Sequence, residues 1–239
     1  MSSLRIRDAV LFAADALAAA LLPSTWTPRL RVAVARQVDA AAVAILPAFL
    51  AATVVLSAIV IRVVGQSARD FGLAQYATEL FARAVTLEFV PLFVALFVLL
   101  RSGAPFATDL ALARESGRTP EREATLGRGI GLALAVLCLT ALAAATSLVA
   151  AYGGLYGFSP WGHAAFSRAV GNVFSPVALG GLALKTIVFA IAVAALPAWS
   201  SLAARASPRA VPDAAPRALV RAFVVIALVE ASAVAIAYA

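Results

Sequence analysis

A chain of 239 residues that is 63% hydrophobic and 13% charged, with a mean hydropathy of +0.97, is far more apolar than a soluble domain, which runs at about 45–50% apolar and about 25% charged. That composition excludes a water-soluble globule and marks an integral membrane protein. The formal charge of +7 comes without a basic patch interleaved with aromatics, which excludes nucleic-acid binding and assigns the arginines to loops. The single cysteine, Cys138, lies in an apolar run and excludes a disulfide framework.

The N-terminal stretch "LRIRDAVLFAADALAAALLP" carries Asp15 inside its apolar part, so it does not read as a signal peptide. Ile6, Val10, Leu17 and Leu21 fall on one helical face, Arg5, Asp8 and Asp15 on the other, and Pro23 ends the pattern. Residues 1–35 therefore read as an amphipathic helix on the membrane surface followed by a connector. A membrane-crossing helix needs about 20 apolar residues. The pattern predicts five: Ala40 to Ile61; Phe81 to Thr108, carrying Glu88 and Arg101; from after Arg128 to Ala151; Ser175 to Trp199, carrying Lys185; and Ala218 to Tyr238, carrying Glu230. The expected fold is all-α, with no soluble domain.

The segments between spans differ in charge. With the N-terminus inside, the inner segments hold thirteen arginines: Arg5, Arg7, Arg29, Arg31, Arg36, Arg114, Arg118, Arg122, Arg128, Arg205, Arg209, Arg217 and Arg221. The outer segments hold four, Arg62, Arg69, Arg83 and Arg168. Basic residues collect on the cytoplasmic side, so the expected orientation is N-in and C-out. The inner loop 109–128 is the most charged stretch. Thr119 and Pro120 suit the N-cap and first turn of a short helix there, with Arg118, Glu121, Arg122 and Glu123 as a coupling element or, alternatively, a solvated connector. The outer loop 152–172 is rich in glycine and aromatics, and Tyr156 and Trp161 suit an interface. Residues 204–217 form an inner connector. Gly127, Gly131, Gly153 and Gly157 give small-xxx-small spacings that permit close helix approach.

No catalytic constellation is present. "GGLALKT" lacks the glycine that a phosphate-binding loop places directly before its lysine. His163, the lone histidine, has no Cys, His or Asp cluster around it to build a metal site or a triad. What remains is transport, binding or scaffolding, with no cofactor or metal of the chain's own.

Lys185 is the only lysine, in a run otherwise uncharged from Ala169 to Ala204. A lysine at a helix centre costs about 2.5–3.5 kcal/mol on insertion scales. Counting about 1.5 Å per residue from the outer end of each span puts Lys185 about 15 Å down, Glu230 about 14 Å and Glu88 about 12 Å. The three share one level, so Lys185 is expected to pair with Glu230, Glu88 or both. Arg101, about 20 Å further along its helix, belongs to the inner half and stands apart.

The order of these special residues resembles the MlaE-type permease family, the membrane subunits of ABC lipid transporters that work with MCE proteins. Leu46-Pro47 matches the Leu-Pro-Ile that opens the family's first span. Glu88, Pro91 and Leu92 match its Arg-Glu-Leu-Gly-Pro-Leu with one extra residue before the proline, and Leu87 replaces the arginine. Arg101, Gly103 and Ala104 match Gly-Arg-Val-Gly-Ala, and Asp109-Leu110 matches Glu-Leu. Leu126-Gly127-Arg128 is similar to Leu-Pro-Arg, and Lys185, Val188 and Phe189 to Lys-Ser-x-Val-Phe. Arg217 and Glu230 are spaced like the family's Arg and Asp in the last span. The inner loop "ESGRTPEREATLG" lacks the family's Glu-x-Ile-Asp-Ala-Leu, and Pro197-Ala198-Trp199 stands where the family has Gly-Cys-Tyr.

The resemblance implies a permease domain over residues 36–239 in the inner membrane, a homodimer that moves phospholipids or related lipids. It implies a cytoplasmic ABC ATPase partner that binds the ATP, docked at the loop 109–128, and an extracytoplasmic MCE partner. It also places Arg128 and Arg217 at the cytoplasmic ends of their spans. Two other readings stand beside it. Glu88, Arg101, Lys185 and Glu230 are residues that an ion- or proton-coupled secondary transporter uses, although the sequence has no inverted repeat and no Gly/Pro-broken helix pair. A non-transporting scaffold leaves the cost of the buried charges unexplained.

Overall fold

The computed structural model describes residues 13–14, 17–18, 20–22, 25–73, 76–117, 121–203 and 212–238. The described residues contain helices and no strands. Helix α1 spans Pro28–Ala41, α2 Leu46–Asp70, α3 Ala77–Glu115, α4 Arg122–Tyr156, α5 His163–Val173, α6 Pro176–Ala203 and α7 Ala214–Tyr238. Five stretches are long and apolar enough to cross a membrane: Pro28–Asp70, Ala77–Glu115, Arg122–Tyr156, Pro176–Ser201 and Ala214–Ile236. The expected all-α, five-span architecture is therefore the observed one. The expected N-terminal surface helix falls largely outside the described residues, with Arg5, Asp8 and Asp15 among those left out; Leu17 and Leu21 are helical.

Several boundaries differ from the sequence reading. The stretch after Pro28, expected as a connector, is α1. Thr27 caps it, its hydroxyl accepting from the Leu30 N–H at 3.1 Å, and Pro28 fills the first turn where no N–H is needed. Residues 62–70, expected as an outer loop, continue α2, because Ile61, Gly65 and Ala68 keep the helical spacing of the buried face. Residues 109–115 continue α3 until Gly117, whose φ of +71° lies in the left-handed region. The short coupling helix is not a separate element: Arg122 opens α4, with Glu121 at the N-cap position. Thr119, Pro120 and Arg118 lie outside the described residues. Most of the expected outer loop 152–172 is helix, as the last turn of α4 and then α5.

Helix α4 is the central post. α1, α2, α3 and α6 all pack against it, and α7 closes the bundle against α6 and α3. The core is made where these meet: Leu132, Ala135, Val136 and Leu139 of α4, Val94, Ala95 and Val98 of α3, Phe189 and Val193 of α6, and Ala222 and Ile226 of α7 are fully buried. Glycine sets the α1–α4 contact. A Cβ on Gly127 would stand 2.6 Å from the Ala33 Cβ, and one on Gly131 would stand 2.6 Å from the Gln37 Cβ. The two backbones thus approach closer than any side chain there would permit. Leu30, Val34 and Ile130 bury themselves in that contact.

Helix α3 is not uniformly α-helical. Ala82–Phe89 and Leu99–Gly103 are wound as π-helix, with α-helix before, between and after them. Pro91 follows the first wide stretch and Pro105 the second. Proline offers no N–H to the turn before it and its ring crowds that turn's carbonyl, and inserted π turns are an established response. Apolar periodicity in the sequence gave no sign of this rewinding.

Candidate functional site: an intramembrane charge triad

Three membrane-spanning helices converge on Lys185. It is 6% exposed, on α6, and its Nζ forms an ion pair with Glu88 Oε2 of α3. The same Nζ lies 3.3 Å from Glu230 Oε2 and 3.4 Å from Oε1 of α7. Lys185 thus contacts both carboxylates that depth counting had placed at its level. The side chains of Glu88 and Glu230 are 22% and 15% exposed, so the ammonium is the innermost member and the carboxylates flank it. One ammonium faces two carboxylates, leaving the group with one net negative charge. Glu230 Oε2 is buried and accepts no hydrogen bond among the described residues, so its attraction to Lys185 is purely through charge.

Local sequence explains how each group arrives. Glu88 lies in the first π-helical stretch, three residues before Pro91. A hydrogen bond between the Thr86 and Ser147 hydroxyls, 3.2 Å, ties this stretch to α4. Leu87, where the family pattern has arginine, is buried with Ala82 and Val173 instead. Beside Lys185, Thr186 turns its hydroxyl back to the Leu182 carbonyl at 2.7 Å, leaving the ammonium to the carboxylates.

Arg101 stands apart. It is exposed, in the second π-helical stretch, and none of the ion pairs among the described residues includes it. The remaining candidates gather at the opposite end of the bundle. Arg128 pairs with Asp109 at 2.8 Å and lies over the Phe106 ring at 4.8 Å. Arg217, in the first turn of α7, pairs with Asp213 just before that helix. Arg114 donates to the Ser201 carbonyl at 3.1 Å, and the Ser201 hydroxyl donates to the Ala107 carbonyl at 2.8 Å, stapling the ends of α3 and α6. Arg221 covers the Trp199 ring at 5.1 Å. Glu121, Arg122 and Glu123 are exposed around the first turn of α4.

Two aromatic groups escaped sequence reasoning. Phe89, Phe93 and Phe97 form a ladder on α3, with ring centroids 6.1 and 6.3 Å apart, backed by Phe49 of α2 at 5.0 Å from Phe97. Their spacing of four residues was the available signal. At the far end, Tyr152 gathers Tyr156, Phe158, His163 and Phe166 around it, with His163 edge-on at 6.3 Å.

A family model described as Permease MlaE matches residues 34–236, from within α1 to the last turns of α7. The chain belongs to this family. It is a multi-pass membrane protein of the permease class that serves ABC transporters as their membrane subunit. No curated protein matches it. Within the MlaE permease, the triad lies on α3, α6 and α7, all three inside the matched region, and so does the charged end formed by Asp109, Arg128 and Arg217.

Proposed function

We propose that this permease moves phospholipids or related lipids between the cytoplasmic membrane and an extracytoplasmic MCE-domain partner, as a homodimer driven by a separate cytoplasmic ABC ATPase. The observation that carries the reading is the family match across all five spans. The physical character of the chain supports it. Its helices present apolar side chains outward along most of their length, including Val55, Ile59, Leu100, Leu184, Val220 and Leu228, and a lipid can travel along such surfaces without a hydrated pore. In this reading the N-terminus is inside. The Glu121–Arg122–Glu123 turn, with Arg118, meets the ATPase, and Arg128 and Arg217 hold the cytoplasmic ends of their helices. The triad locks the outer halves of α3, α6 and α7 in register beside the lipid path. The chain contributes no nucleotide site; ATP belongs to the partner.

Reconstitution tests this. The permease purified with its ATPase into liposomes should transfer labelled phospholipid in an ATP-dependent manner, and flux that follows a proton gradient and ignores ATP sinks the proposal. That second outcome would select the ion-coupled reading, which the two carboxylates around Lys185 favour.

A further inference from the structure

Within the described stretch from Phe81 to Thr108, Arg83 and Arg101 are left exposed and without an ion pair, and of the two Arg101 is the one far from the outer end of the span. It lies eight residues, about 12 Å, from Asp109, whose pair with Arg128 marks the polar end of the bundle. Helical side chains lean toward the helix N-terminus. For Arg101 that direction leads toward Phe97. Counted from the outer end of the span, Arg101 lies about 32 Å down, at the inner boundary of a hydrocarbon core about 30 Å thick, which is the level of the inner leaflet's headgroups.

The face it occupies suggests the partner. Phe97, Phe93 and Phe89 rise from it at intervals of four residues, half-buried to exposed, with stacked or tilted rings. From Arg101 to Phe89 this apolar stripe extends about 18 Å, against about 15 Å for the hydrocarbon of a single leaflet. A cation at one end of a leaflet-long apolar stripe matches a molecule with an anionic head and long acyl chains. A second copy of the chain is a poorer occupant. Glu88 and Glu230 are engaged with Lys185, Asp109 with Arg128 and Asp213 with Arg217, which leaves Asp39, exposed on α1, as the carboxylate beside this stretch of α3 that a second copy could offer.

We propose that Arg101 binds the phosphodiester of a phospholipid whose acyl chains lie along Phe97, Phe93 and Phe89. The planar guanidinium suits this group, because its N–H fork meets two phosphate oxygens at once. The inference deepens the lipid-permease reading and rests on it. It adds a headgroup subsite in the half of the bundle opposite the triad.

Native mass spectrometry of the full chain, with dioleoyl phosphatidylglycerol and dioleoylglycerol as probes, tests it, since the second lacks the phosphoglycerol headgroup, and dioleoyl phosphatidic acid, which keeps the phosphate without the glycerol, should bind like the first. The wild-type chain should hold the phospholipid at least tenfold more tightly. Arg101→Gln, checked for an unchanged melting temperature, should reduce that preference to less than threefold. Phe93→Ala should weaken both lipids alike. A preference that survives Arg101→Gln overturns the inference, as does loss of the dimer in Arg101→Gln, which would assign the guanidinium to a subunit contact. These outcomes are separable from failure of the broader reading, in which the wild-type chain binds neither probe and its complex with the ATPase moves no lipid.

Discussion

Lys185 shows how one residue constrains three helices. Its ammonium is buried, and among the described residues it forms ion pairs with Glu88 and Glu230. Removing one partner of a buried ion pair costs about 3–5 kcal/mol, because the remaining charge is left desolvated. The two sides of this triad are not equivalent. Lys185→Ala strands two carboxylates facing each other, whereas Glu230→Ala leaves the Lys185–Glu88 pair neutral and intact. Lys185→Ala should therefore lower the melting temperature in detergent much more than Glu230→Ala. The double variant Lys185→Glu with Glu230→Lys should recover part of the loss, since it rebuilds one ammonium between two carboxylates on the same three helices. A fully stable and active Lys185→Ala protein would show that the triad holds nothing together.

At the scale of elements, packing of α1 on α4 depends on two glycines. Gly127→Val and Gly131→Val each place a Cβ within 2.6 Å of a side chain on α1. Overpacking of this kind costs about 1–3 kcal/mol, and α1 should separate from α4, read as faster proteolysis at Arg29, Arg31 and Arg36. Gly180 and Gly181 are the control. A Cβ there meets nothing within 4 Å, and alanine is the better helix former by about 1 kcal/mol, so Gly180→Ala and Gly181→Ala should be neutral or slightly stabilising. The exposed turn Glu121–Glu123 makes a different prediction. Replacing Glu121 and Arg122 with Ala should leave the melting temperature within about 1 °C per few tenths of a kcal/mol expected for a surface change, yet reduce ATPase copurification or uncouple ATP turnover from lipid transfer. Unchanged assembly and coupling would leave this turn as a solvated helix start.

These elements also show what was legible in the sequence and what was not. Five apolar runs gave five spans, and a count of residues along them put Lys185, Glu88 and Glu230 on one level, because helical rise is nearly constant. Depth does not give azimuth: that Glu88 turns toward Lys185 depends on the π winding ahead of Pro91, which apolar periodicity cannot reveal. Helix ends were the other failure. Polar residues such as Arg62, Arg69 and Asp109 read as loop, but an α-helix leaves the bilayer without ending there, and Gly117 stops α3 only after Glu115. The small-xxx-small glycines carried true information that their frequency in an alanine-rich chain disguised. Gly127 and Gly131 seat α1, while Gly153 underlies the Phe158 ring.

Over the whole molecule, charge is distributed between the two ends of the bundle, and this sets an expected orientation in the membrane. Arg114, Arg128, Arg217 and Arg221 gather at one end, and the contact of α1 with Gly127 and Gly131 brings Arg29, Arg31 and Arg36 to that same end. Arg62, Arg69, Arg83 and Arg168 belong to the other, where Asp70 and Glu79 also lie. Short basic segments are retained in the cytoplasm during insertion, and acidic residues contribute little to the choice. The arginine-rich end is therefore expected inside. From α1 the chain crosses five times, and an odd number of crossings sends Ala239 to the opposite side from α1. A reporter active only in the cytoplasm should accordingly signal when inserted between Gly117 and Glu121 and stay silent when fused after Ala239. A reporter active only outside should do the reverse. Signals from both positions on the same side would mean an even number of crossings between them and remove one of the three helices α4, α6 and α7 from the membrane. A clean inversion would instead keep all five spans and place the Glu121–Arg122–Glu123 turn outside, where no cytoplasmic ATPase could reach it.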